Sequence, residues 1–287
     1  MTIIRKHFDS AAALLEYSQR RPVDKRGSHA LSIWEERDQP DGGHLSAEWF
    51  GMQHGERPAS VMARLFAEGW PQGVARINEA LASIQDSVPR PQSIRRRMTW
   101  TDHGDVLDIH RVNSGRLDVA WQRPMRRKVS ARATVTLAPD SSLLSNRSAD
   151  VLFWRGAAVV HLCNLLTEAG YNVEIVMARN VDLDYDNKGE TLYQHTVTVK
   201  SALAPLDIHA LAALAAHPAS TRAIAQRATC VAASEARVNV REGLANPLDP
   251  RELLPDALVA GDDCCNREQA IEWVRAGIAT VEGRMVE

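Results

Sequence analysis

The sequence predicts an α/β fold: a doubly wound, mostly parallel sheet with helices on both faces, preceded by a mainly helical N-terminal region. Three observations predict it. Residues 129–139 (VSARATVTLAP) are β-branched and apolar, as a strand requires. Residues 149–169 are apolar at helical spacing and are closed by Gly170, which can take a left-handed end. Residues 171–178 (YNVEIVMA) again read as a strand. Strand, loop, helix and strand make one βαβ unit, whose crossover should be right-handed.

Taken in order, residues 1–20 suggest one short amphipathic helix capped by Asp9 or Ser10. Residues 20–44 turn polar and read as loop or an ordered arm with an apolar patch at 31–34. Pro58 opens a helix that Gly69 closes, and the apolar spacing of Val74, Ile77, Leu81 and Ile84 repeats the pattern. Residues 47–86 are therefore expected as a helical pair, with Trp49 and Trp70 as packing anchors. The prolines of residues 87–98 mark the best boundary. This gives a mainly helical N-terminal region with an irregular arm over 1–95 and an α/β domain over 96–287. Residues 191–201 read as a strand, and 206–216 and 220–228 as helices split by His217 and Pro218. Residues 229–240 fit a strand or a frayed helix. Residues 256–260 read as a short strand. A last helix, 267–282, is capped by Asn266, with Gln269 as partner.

In the long helix, Val151, Leu152, Val159, Leu162, Leu165 and Leu166 form the apolar stripe, and His161 is expected on the exposed face. Ser148 or Asn146 can cap its start. Asp102, Asp105 and Asp108, and later Asp182, Asp184 and Asp186, are spaced carboxylates that could serve a hard cation, but neither set has the full pattern of a calcium loop.

Composition narrows the function classes. The chain has 287 residues and a formal charge of −2, so no global field points to nucleic acid or membrane. No apolar run approaches the ~20 residues that span a bilayer. The first residues lack the apolar run of a signal peptide. The four cysteines show neither CxxC nor zinc spacing, as expected of reduced thiols in a cytoplasm. No phosphate-binding glycine loop, GxSxG or HExxH is present.

The phrase TVTLAPDSS followed by WRGAAVVHLCNLLTEAGYNVEIV resembles the first βαβ of a von Willebrand factor A-type domain. That family carries D-x-S-x-S after its first strand and binds a divalent cation there. Carried onto this sequence, the motif assigns Asp140 and Ser142; the third position holds Leu144, and Ser145 falls one residue late. The resemblance thus implies a degenerate metal site of Asp140, Ser142 and Ser145, with Mg²⁺ as the one cofactor to consider. Residues 95–121 and the upstream WFG and GWPQG also resemble an uncharacterised family of phage and bacterial proteins with such a domain. The resemblance implies a non-enzymatic protein-binding or adaptor protein, paired with an AAA+ ATPase of the MoxR class. A phage structural or assembly component, found in host cytoplasm or virion, is the first alternative. A divalent-metal-dependent enzyme using Asp140 with Asp102, Asp105 or Asp182 is the second.

Overall fold

The computed structural model describes residues 2–23, 29–42, 46–91, 98–104, 106–124, 134–144, 146–183, 191–240 and 246–284. The fold is α/β, with a mostly parallel central sheet flanked by helices. The chain begins with β1 (Thr2–Phe8), then α1 (Ala11–Ser18), α2 (Ala30–Asp38), α3 (Pro58–Glu68) and α4 (Pro71–Ile84). A small antiparallel sheet in the order β2–β4–β3 follows, from β2 (Met98–Thr101), β3 (Val106–Leu107) and β4 (Trp121–Pro124), with α5 (Ile109–Asn113) between the last two. The core unit is β5 (Thr134–Pro139), α6 (Asp150–Ala169) and β6 (Asn172–Asp182), continued by β7 (Thr191–Lys200). Next come α7 (Ile208–Leu211), π-helical segments at Ala212–Ala216 and Ser220–Ala225, and α8 (Gln226–Ala236). The chain closes with β8 (Asn246–Pro247), β9 (Leu258–Ala260) and α9 (Arg267–Gly283).

The sheet runs β1–β7–β6–β5–β9, with β8 also on β6. Pairings β1–β7, β5–β6 and β5–β9 are parallel; β6–β7 and β6–β8 are antiparallel. Two apolar cores support it. In the first, α6 packs on α4, α9 and the first π-helical segment, with Leu137 and Ile175 from the sheet. The second gathers α1, α2, α3 and α8 around Met177, Val181, Tyr193 and Val197. Trp70 and Val199 touch both. Gly277 is where α9 meets α6: a Cβ there would lie 2.6 Å from Leu162 Cδ2. Full burial of a side chain such as Leu162 contributes roughly 1.5–3 kcal/mol.

Several expectations meet their residues directly. Gly170 ends α6 at φ 101°. Ser148 Oγ accepts from the Asp150 N–H at 3.1 Å. Asn266 accepts from the Gln269 N–H at 2.9 Å, while the Gln269 side chain accepts from Cys265 N–H instead of closing a box on Asn266. Residues 229–236 are helical, and Arg237 ends α8 in the left-handed region at φ 59°.

Others are corrected. Residues 2–8 are a strand, and only Ala11–Ser18, capped by Ser10, is helix. Ile4 and Phe8 are buried from alternate positions along a strand paired in parallel with β7, so tertiary pairing overrides a locally charged sequence. The apolar patch at 31–34 is part of helix α2, which buries Ile33, Trp34 and Arg37. His161 is buried, because α6 is covered on nearly every side. The segments around His217 and Pro218 include wide π turns, so the two regular helices expected there are only partly regular.

Candidate functional site

β5 and β9 end side by side, and the chain leaves β5 toward β6 on its other flank. In open α/β sheets this reversal of strand order creates the crevice where ligands gather. Asp140 sits at that point. Its N–H donates to Ala260 O at 3.0 Å, which anchors it to β9. The Ser141 N–H and hydroxyl both donate to Ala178 O, at 2.8 and 3.0 Å. The Ser142 N–H donates to Asp140 Oδ1 at 2.7 Å, folding the loop over the carboxylate. The Ser142 hydroxyl donates to Asn180 O at 3.2 Å and accepts from Asn180 N–H at 3.1 Å. Ser142 is therefore fully engaged with β6.

The centre of the corner is Arg155, projecting from α6 and 1% exposed. Its Nε donates to Gly261 O at 3.0 Å. Its Nη1 donates to Asp140 O, Asp140 Oδ2 and Ser142 O, at 3.0, 3.1 and 2.8 Å. Its Nη2 donates to Asp262 Oδ1 at 2.7 Å. One guanidinium thus fastens the ends of β5 and β9 and the loop between β5 and α6. Burial pushes the Asp140 carboxyl up to about 6, against the opposing pull of Arg155 and the Ser142 N–H. Around this point the surface carries Asp249, Arg251, Asp262 and Asp263, with Arg251 paired to both Asp249 and Asp263. The two clefts here are small, about 280 Å³ beside Leu144 and Arg147 and about 130 Å³ between Asp249 and Gly261.

Of the residues named for a metal, Asp140 and Ser142 come together, and Ser145 lies outside the described residues. Asp102 is exposed and bonded to His103, and Asp108 caps α5. Asp182 is buried at the end of β6, while Asp105, Asp184 and Asp186 lie outside the described residues. Among the described residues, no three His, Cys, Asp or Glu side chains stand as a metal-holding group. Both oxygens of Asp140 already accept from the protein itself.

The sequence model of a domain of unknown function (DUF7192) matches residues 2–268. The chain belongs to this family. No curated protein and no solved structure matches it. The DUF7192 segment runs from β1 to the first turn of α9, so it holds the whole central sheet and the residue-140 corner. No helix among its described residues is long and apolar enough to cross a membrane.

Sequence reasoning missed Arg155 in this family member. The available signal was its place on the apolar stripe of α6, three residues after Leu152 and four before Val159. A charge on that stripe must find partners inside the protein, and its partners here come from β5 and β9.

Proposed function

We propose that this chain is a non-enzymatic protein-binding or adaptor protein that docks a partner on the residue-140 corner. The observation that carries the reading is Arg155: a buried guanidinium stands against Asp140 and Ser142, where a cation-dependent site would need its ion. The Ser142 hydroxyl is spent on Asn180, which leaves the loop a fixed contact surface. The clefts are smaller than the roughly 300–1,000 Å³ of small-molecule sites, which favours a surface over a substrate pocket. Exposed Asp262 and the Asp249–Arg251–Asp263 group give that surface charged contacts for a partner. The partner class is an AAA+ ATPase of the MoxR type, as the resemblance to A-type domains implies.

Thermal melting with and without millimolar Mg²⁺ tests the first half, and co-purification with such an ATPase tests the second. The expected melting curves coincide, and Asp262→Lys with Asp263→Lys weakens capture of the ATPase. A Mg²⁺-dependent rise in Tm that disappears in Asp140→Ala would instead establish a metal site.

A further inference from the structure

Beside the second core lies a group of arginines with no role in that corner reading. Arg37 on α2 is 4% exposed, and Arg179, Arg222 and Arg227 are buried with it. They are close neighbours. The Arg37 and Arg222 guanidinium carbons lie 5.2 and 4.4 Å from the centroid of the same Trp49 ring. Arg227 stacks on Trp34 at 4.3 Å and pairs with Asp38 at 3.1 Å. Arg37, Arg179 and Arg227 all act on the Cys230 thiol of α8.

Their donors are partly used: Arg222 Nη1 and Nη2 donate to Trp49 O and Arg147 O, and Arg179 Nη2 donates to Gln226 Oε1. Arg37 Nε and Nη1, Arg222 Nε and Arg227 Nε are buried without a hydrogen-bond partner, while Arg227 Nη1 faces Asp38 Oδ1. Arg37 stands out, resting on the Trp49 and Phe50 rings. Cation–π contact falls well short of replacing the hydration of a buried charge. The hydroxyls of Ser220 and Thr221, on the same wide π turn as Arg222, are also buried and unpartnered. Among the described residues, four guanidinium charges here are answered by the carboxylates of Glu36 and Asp38. Asp140 also acts on Arg179 but is held by Arg155.

We propose that Arg37, Arg222 and Arg227 form a binding site for a phosphate-type oxyanion between α2, Trp49 and α8. Guanidinium forks match the oxygens of phosphate, and a dianion supplies the two negative charges the group lacks. The Trp49 ring lies against Arg37 and Arg222, and the Trp34 ring against Arg227, so the indoles hold the three guanidinium groups in place. Burial depresses the affinity of all four arginines for their protons, Arg179 to about 10, as expected of cations short of counter-charge.

The test is thermal melting of the full chain in inorganic phosphate against sodium chloride of equal ionic strength, with phosphoserine as a third arm. Phosphate should raise Tm saturably by several degrees and chloride should not. Arg37→Met should melt in chloride at or above the wild-type temperature and lose the phosphate response. Should that variant fail to fold, broadening of the ³¹P signal of phosphate by wild-type chain, and its loss in Arg222→Lys, serves the same purpose. A larger shift with phosphoserine assigns the site to a phosphomonoester, and a larger shift with phosphate assigns it to the free anion. Equal melting in phosphate and chloride, or an Arg37→Met variant that keeps the response, overturns the proposal.

Discussion

Arg155 and Arg37 are equally buried arginines in the same molecule, and their surroundings differ in one respect. Arg155 has two carboxylates and three carbonyls within reach and uses all three of its nitrogens. Arg37 lies on aromatic rings with Nε and Nη1 unpartnered. A satisfied buried cation ties elements together; an unsatisfied one is destabilising until something supplies acceptors. Burial alone therefore does not separate an architectural residue from a binding residue. The hydrogen-bond accounting around the charge does.

The comparison breaks first at the corner. Arg155→Met removes the clasp and leaves Asp140 buried without its cation, so unfolding in urea should show a loss of about 3–5 kcal/mol. A loss below about 1 kcal/mol would mean that the strand ends hold without it.

Acid provides the next separation. Burial lowers His195 to about 3 and His217 to about 4, so both stay neutral in the fold while their unfolded counterparts charge below about 6.5. Their stabilisation is complete above that pH and falls as pH drops, by about 1.4 kcal/mol per pH unit for each histidine. At the corner the sign reverses. The Asp140 carboxyl is raised to about 6, so its contribution is full at low pH and is lost as pH rises through that value. Urea midpoints from pH 4 to 7 for wild type, His195→Phe and Asp140→Asn should therefore bend in opposite directions in the two variants; parallel curves would count against both assignments.

On the Arg37 side, replacement by Met in phosphate-free buffer should be neutral or stabilising by about 1 kcal/mol, since it removes an unpartnered charge. A loss of several kcal/mol would give Arg37 the same architectural role as Arg155. The smallest effect belongs to Asp262→Ala. Asp262 is 91% exposed, so its pairing with Arg155 should contribute less than about 1 kcal/mol to unfolding, although the residue sits on the proposed docking surface.

The βαβ unit was legible because its signals are local. β-branched runs mark β5 and β6, the apolar spacing marks α6, and Gly170 marks its end. Asn266 likewise announces α9 within three residues. The position of Asp140 at a strand end was legible for the same reason. What stayed hidden depends on distant partners. β1 looks too charged for a strand until β7 lies beside it, from residue 191 onward. Arg155 stands on the apolar stripe of α6 without a local partner, and its partners Gly261 and Asp262 come more than a hundred residues later. The arginine layer joins residues 37, 49, 179, 222 and 227, which no spacing rule connects.

The place of β1 in the sheet also bears on how the chain is made and handled. Its partner strand ends about two hundred residues later, so during synthesis β1 is made long before the strand it pairs with. Shortening the chain ahead of Ala11 would strip β7 of that neighbour and leave a row of free backbone groups open to another chain, inviting aggregation.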